Sequence, residues 1–446
     1  MKSIMCNIMT FLKRRDTYAL PAGEAKNLPT GAIVLGLVFF TVILLLRSWT
    51  NFSQPGLYAE DSIHYFNFYY GDVRSFQDIL QHPNGYYNLF NNLTAWLTAK
   101  ADVGLAPLIY QSVCIGLSFL TIASFSFSGI VTNRYLLFIA PLLLGLSGMN
   151  HLYYYVSLTF QMYVVVLLLL ILMLRRTASS VWVEAMLFVL MSFLVWSGPY
   201  SVLAMPLAFA FLFFFRDRPV ASAGLVLVTV AYTLSVTKST IILENIFNPE
   251  ILRIWGSTLV TEVFFMGFKH SVNAEKLMVL VLTFATVSLL LRRDRFYLKT
   301  ALLFLVIIVA SFAPMLLSKK ILLYQKILTC HLLIAQFFWL ALILFTVDRM
   351  LIRWPARQNL FGSLFVVLAT LFIIADNIEH PDKRMAKIQE AMPRFLATVK
   401  EAEGMNLAAE GKRMIISTNG TSTFKAAAIV GDRSKNGRLV GRVHVQ

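Results

Sequence analysis

Long apolar runs, separated by short polar breaks, recur along this chain from about residue 30 to residue 375. A helix that crosses a bilayer needs roughly 20 apolar residues. On that measure the runs at 30–47, 104–126, 132–149, 155–174, 180–196, 200–215, 219–237, 277–291, 300–317, 327–347 and 359–375 predict about eleven membrane helices. The pairs 132–149/155–174 and 180–196/200–215 have very short connections and predict tight helical hairpins. Beyond 375 the pattern changes. Residues 384–403 read as a helix. Residues 413–417 and 426–430 read as short strands, with Asn419-Gly420 as a turn. The expected fold is an all-α polytopic membrane protein over 1–375 with a small α/β extension over 376–446.

Two long intervals break the series of apolar runs, 48–103 and 238–276. In the first, residues 75–81 are followed by the turn signal His82-Pro83-Asn84-Gly85. After that turn Leu89, Phe90, Leu93, Trp96 and Leu97 recur at helical spacing. The expectation is two short amphipathic helices lying on the membrane surface.

Composition agrees with lipid as the solvent. The 446 residues are 58% hydrophobic and only 14% charged, against about 25% in soluble domains. The formal net charge of +16 would suit nucleic acid. The basic residues, however, sit in short clusters between apolar runs, where they orient helices instead. With the start of the chain in the cytoplasm, the inner loops hold Arg134, Arg175, Arg176, Arg216, Arg218, Arg292, Arg293, Arg295, Lys299, Arg349, Arg353 and Arg357. An odd number of helices then puts the C-terminal extension outside. Cys6, Cys114 and Cys330 show no disulfide or metal-ligand spacing. The first apolar run reads as a retained helix, not a removed signal peptide.

The candidate chemistry lies in the run Tyr58-Ala59-Glu60-Asp61-Ser62-Ile63-His64-Tyr65, just beyond the first helix. Carboxylates beside hydrocarbon are costly, which makes Glu60 and Asp61 candidates for function. Such a group can act as general base toward a hydroxyl. His64 shares a face with Asp61 if the stretch is helical, and Asp72 is a further carboxylate in the same loop. Lys319, Lys320 and Lys326, with Tyr324 among them, crowd a short outer loop against the positive-inside trend and suit a lipid phosphate. Arg253 lies in the second long outer loop. His331 and Gln336 are polar positions in the tenth predicted helix.

An outer loop after the first helix, carrying an acidic pair and then interfacial helices, resembles the GT-C superfamily of polytopic glycosyltransferases. Asp61-Ser62-Ile63-His64-Tyr65 is similar to the Asp-Glu-x-His-Phe run of protein O-mannosyltransferases and to the Asp-Glu-x-x-Tyr run of aminoarabinose transferases. The basic, tail-bearing layout looks like bacterial or phage-type O-antigen glucosyltransferases. The resemblance implies that Asp61 is the catalytic base, with Tyr65 at the matching aromatic position. This chain has Ser62 where those families have Glu, and its own Glu precedes the Asp, so Glu60 and Asp61 both stand as candidates.

What the resemblance implies is an inverting transferase. It would move a sugar from a polyprenyl-phosphate donor to an extracytoplasmic glycan or lipid-linked acceptor. The setting would be the inner membrane of a bacterium, with membrane lipid as partner and no nucleic acid. His64, Tyr65, Asp72, Lys319, Lys320, Tyr324 and Arg253 would bind substrate. A phosphate leaving group needs cationic stabilisation more than protonation, so no cofactor is required, though a divalent metal is compatible. The alternatives are a transporter or flippase for a lipid-linked glycan, and a polysaccharide polymerase or ligase.

Overall fold

The computed structural model describes residues 18, 28–47, 49, 53, 61, 65, 79–80, 86–101, 105–147, 155, 157–177, 180–215, 218–236, 245, 247–265, 287, 291, 294–316, 329–379, 414–418, 426–433 and 439–445. The main helices are α1 (Thr30–Arg47), α2 (Leu89–Thr98), α3 (Ala106–Phe127), α4 (Arg134–Leu146), α5 (Gln161–Leu174) and α6 (Val181–Val195). They continue with α7 (Ala204–Ala210), α8 (Pro219–Ser235), α9 (Pro249–Thr258), α10 (Arg295–Ala310), α11 (Leu333–Arg353) and α12 (Gln358–Glu379).

Three segments are long and apolar enough to cross a membrane: Ala106–Phe127, Leu333–Arg353 and Pro355–Ala375. Thr30–Leu46, Arg134–Leu146, Gln161–Leu174, Val181–Val195, Pro199–Phe213 and Pro219–Ser235 are apolar but shorter. Against the expected count of about eleven, the described residues carry three such segments and these six shorter ones. Local chemistry explains the shortening. α5 begins only at Gln161 because Ser157–Phe160 is spent in a turn. α6 begins after a Ser180 side-chain cap and ends at the turn before Pro199. Ser180 and Asn133 each accept a backbone N–H at a helix start, which fixes those boundaries. The run expected at 277–291 lies almost wholly outside the described residues.

α5 is the axis of the core: every one of its residues except Met162 is buried. It packs on α3, α6 and α11, while α1 lies along α4. Two glycines allow that last pairing. A Cβ on Gly36 would stand 2.3 Å from the backbone oxygen of Phe138, and one on Gly145 would stand 2.4 Å from the Phe40 ring. Each helix thus supplies one small residue where its partner comes closest, the usual device for packing helices in lipid. The opposite surfaces of α1, α6 and α12 expose Val38, Phe39, Trp182, Met186, Leu364 and Leu368.

The C-terminal extension is described as sheet. β1 (Met414–Thr418), β2 (Ala426–Arg433) and β3 (Leu439–Val445) pair antiparallel in the order β1-β2-β3. Met414 is opposite Val430, and Ala426 is opposite Val445. The first two strands lie where the turn and β-branched residues place them, and the third was not anticipated. The helix expected at 384–403 falls outside the described residues, so the α/β expectation reduces here to a β meander.

Candidate functional site

Asp61 is 1% exposed, and its carboxylate is held by the turn that starts α5. Oδ1 accepts from the Thr159 N–H at 2.7 Å, the Thr159 hydroxyl at 2.8 Å and the Ser157 hydroxyl at 3.0 Å. Oδ2 accepts from the Leu158 N–H at 3.0 Å. These donors are 96 to 98 residues away in sequence. α5 has no side-chain cap of its own at Phe160. The carboxylate satisfies the N–H groups of Leu158 and Thr159 in the turn ahead of the helix, on the side of its positive dipole end.

Burial dominates the electrostatics. Loss of water pushes the Asp61 carboxyl up from 3.8 to about 6, against the pull of its four hydrogen bonds. Among the described residues no ion pair forms at Asp61. Among the described residues Oδ1 accepts from three donors and Oδ2 from one N–H.

Tyr65 is buried beside this carboxylate network. Its hydroxyl accepts from Asn88 Nδ2 at 2.9 Å and from Asn91 Nδ2 at 3.1 Å. Asn91 Nδ2 also donates to the Leu158 carbonyl at 2.6 Å, which joins the two halves of the cluster. Asn88 and Asn91 are both 0% exposed, yet their Oδ1 atoms have no partner among the described residues. Two buried acceptors of this kind each cost about 1–3 kcal/mol until a donor reaches them.

These asparagines show which face of α2 turns inward. The stripe of Leu89, Phe90, Leu93, Trp96 and Leu97 was expected on an amphipathic helix at the membrane surface. α2 buries Asn91, Asn92, Thr94, Ala95 and Thr98, and leaves Leu97 half exposed. Asn92 Nδ2 donates to the Ile79 carbonyl at 2.8 Å. Leu89, Phe90, Leu93 and Trp96 are half-buried, and the fully buried face of the helix is the polar one. The spacing Asn88, Asn91, Asn92 is itself helical and was legible as a polar face. Tyr87, Trp196 and Tyr232 pack edge to face beside it, and the Leu89 N–H donates to the Trp196 carbonyl.

A second polar cluster lies at the same end of the bundle. The hydroxyls of Tyr163 on α5 and Tyr200 on the 3₁₀ turn Pro199–Leu203 each lie 2.6 Å from His331 Nδ1. His331 is partly buried, in the 3₁₀ turn Thr329–Leu332 that leads into α11. Gln336 Nε2 donates to the Glu262 carbonyl at 2.7 Å.

The opposite end of α5 is roughly 20 Å away at 1.5 Å per residue. It gathers arginines. Buried Arg175 pairs with Glu184, which also lies 3.8 Å from Arg218. Arg176 donates to the Tyr18 and Gly129 carbonyls and lies over the Phe296 ring. Arg218, held at φ 47°, donates to the Arg175 and Thr177 carbonyls. Asp348 accepts from the Thr132 and Asn133 N–H groups at 2.9 and 2.7 Å. Arg349 pairs with Asp294 at 2.5 Å.

Of the residues singled out in the sequence, Asp61 and Tyr65 are joined through Leu158 and Asn91. Arg253 is not part of that cluster. It is exposed on α9 and bound to Glu250 at 2.6 Å, a bond that raises the guanidinium and lowers the carboxyl from their ordinary values. The two side chains form an i,i+3 surface pair. Glu60, His64, Asp72, Lys319, Lys320 and Tyr324 lie outside the described residues. Asn88, Asn91, Thr159, Tyr163 and Tyr200 were not foreseen. Among the described residues no three His, Cys, Asp or Glu side chains gather as a metal-binding group. Comparison with family models, curated proteins and solved structures found no match to this chain.

Proposed function

We propose that this chain is an integral membrane glycosyltransferase that uses a polyprenyl-phosphate sugar donor and has Asp61 as its general base. The acceptor is an extracytoplasmic glycan or a lipid-linked glycan. Asp61 Oδ2 takes the proton of the acceptor hydroxyl. The hydroxyl oxygen bonds to the anomeric carbon as the carbon–oxygen bond to phosphate breaks, and the bonding electrons leave with the phosphate. Configuration inverts because the nucleophile enters opposite the leaving group.

The observation that carries the reading is the buried Asp61 carboxylate, pushed up to about 6 and without an ion-pair partner among the described residues. A base of that strength is ionised at neutral pH and strong enough to accept a proton there. The inward polar face of α2 supports it, since Asn88 Oδ1 and Asn91 Oδ1 are acceptors suited to the hydroxyls of a sugar. The finer features belong to the same proposal: about eleven crossings and an arginine-rich cytoplasmic end. With them go a C-terminal extension outside and a bacterial inner membrane as the location.

A second reading draws on the four bonds that Asp61 already makes. In it the carboxylate only ties the first loop to α5, and the protein is a transporter or flippase for a lipid-linked glycan. The test is sugar transfer in membranes that contain a polyprenyl-phosphate sugar, with the new glycosidic bond detected by mass spectrometry. Asp61→Asn abolishes transfer while the purified chain stays monodisperse. Glycan movement across proteoliposomes without a new bond would overturn the transferase reading.

A further inference from the structure

We propose that the seam between the starts of α4 and α12, at the arginine-rich end of the bundle, binds one anionic phospholipid. Arg134 and Arg357 hold its phosphate, and the outer stripe of α12 lies under an acyl chain. The site needs only that the apolar helices lie in lipid, and it is independent of the transferase reading.

Arg134 is exposed, yet its guanidinium is fixed between two helices. Nη2 donates to the Tyr135 hydroxyl at 2.9 Å and to Asn359 Oδ1 on α12 at 3.3 Å. The guanidinium carbon lies 4.8 Å from the centre of the Tyr135 ring. That ring rests on α12 in turn, since a Cβ on Gly362 would stand 2.5 Å from it. These bonds use Nη2 and leave Nε–H and the Nη1 hydrogens open among the described residues. Arg357 is exposed two positions before Asn359 and forms no ion pair among the described residues. Asn133, 4% exposed, adds an unfilled donor one residue from Arg134. Its Oδ1 accepts the Tyr135 N–H, which fixes the amide orientation, and its Nδ2 has no partner. The described carboxylates of this end are committed elsewhere. Asp294 pairs with Arg349, Glu184 with Arg175, and Asp348 accepts from the Thr132 and Asn133 N–H groups. Two uncompensated guanidiniums match a phosphate, which each can bind through paired N–H groups.

The adjoining surface selects a lipid over a soluble anion. Leu360, Leu364, Leu368 and Leu371 are exposed and recur at helical spacing, so they form one apolar stripe that runs from the arginines along α12. Trp354, at the corner between α11 and α12, packs on Phe361 with ring centres 6.2 Å apart. Tryptophan at such a corner suits the headgroup level of a bilayer. The sequence of groups is thus cation, interfacial aromatic, hydrocarbon, the order that a phospholipid presents from headgroup to chain. A soluble phosphate would gain nothing from the stripe. A zwitterionic phospholipid would bring its own cation against the arginines, so a headgroup of net negative charge fits best.

The test is lipid binding by the full purified chain in neutral detergent, measured by native mass spectrometry. The probes are phosphatidylglycerol, phosphatidylethanolamine and glycerol 3-phosphate. Wild type binds phosphatidylglycerol about tenfold more tightly than phosphatidylethanolamine. Arg134→Gln with Arg357→Gln removes that preference. Arg357→Gln alone, which breaks no described hydrogen bond and so spares the fold, lowers it on the order of threefold. Arg253→Gln, the loss of an exposed arginine far along the chain, leaves it unchanged. A wild type without the preference overturns the site, as does a preference that survives the double change. An equal loss in Arg253→Gln overturns it too, because the effect would then be one of overall charge. Competition by glycerol 3-phosphate as strong as by the lipid overturns the phospholipid as occupant.

Discussion

Asp61 and Asp348 are built alike and sit at opposite ends of the bundle. Each is buried, and each accepts from two consecutive backbone N–H groups just ahead of a helix, Leu158–Thr159 before α5 and Thr132–Asn133 before α4. Their surroundings differ. Asp348 has Arg349 as a charged neighbour, within a zone where arginines pair with Glu184 and Asp294. Asp61 has tyrosine and asparagine neighbours, and two of the nearby acceptors are unfilled among the described residues. Hydrogen bonds to a helix start are therefore common to both. Under the proposed function it is the charge balance and the acceptors left unfilled among the described residues that set Asp61 apart.

The sharpest way to break this comparison is to neutralise each carboxylate in turn. Asp61→Asn lowers sugar transfer by about 10²–10⁴-fold, the usual contribution of a positioned base. Asp348→Asn leaves the rate per folded molecule unchanged and lowers stability by about 1–3 kcal/mol, because a neutral amide oxygen accepts the two N–H groups more weakly than the carboxylate Oδ1 does. Equal rate losses at the two sites, measured on folded protein of known amount, would erase the distinction.

Next in size is the response to pH. Burial raises the Asp61 carboxyl, so the fold favours its protonated form. That stabilisation is complete below 3.8 and is lost as pH rises through about 6. Ionised Asp61 at neutral pH is held at a cost on the order of 3 kcal/mol relative to water. Activity runs the other way and rises about tenfold from pH 5 to pH 7, since only the ionised form accepts a proton. A flat profile over that interval removes Asp61 as the base. The stability slope should also vanish in Asp61→Asn.

Gly36→Ala touches neither carboxylate. Its Cβ would stand 2.3 Å from the Phe138 carbonyl oxygen, and backbone cannot swing aside as a side chain does. We expect a stability loss of about 1–3 kcal/mol with an unchanged pH profile, read by thermal unfolding of the purified chain. The smallest effect is expected at Arg253→Gln, because exposed ion pairs contribute little. Transfer that falls with this change would restore Arg253 to the site.

What the sequence makes legible follows from the range of the forces. The apolar runs and the first two strands are local patterns, and helices and strands form on those that fall among the described residues. The run around Asp61 is legible as costly chemistry near hydrocarbon. The partners of Asp61 and Asp348 are not, since they are separated by about a hundred and two hundred residues and depend on how the bundle closes. Which face of α2 turns inward is not legible for another reason. An amphipathic stripe gives the line between apolar and polar, and only the neighbouring solvent, lipid or protein, decides which side turns inward.

The contact between Gly36 and Phe138 bears on biogenesis. Synthesis runs from the N-terminus, and the two residues that meet there are about a hundred positions apart. When α1 leaves the insertion machinery, the surface that will receive it has not yet been made. For that interval the Gly36 groove faces lipid or a chaperone, and α1 is held only by its own hydrophobicity. Emergence of α4 ends the wait, so the seam between these two helices marks the earliest moment at which this end of the chain can acquire its final neighbours.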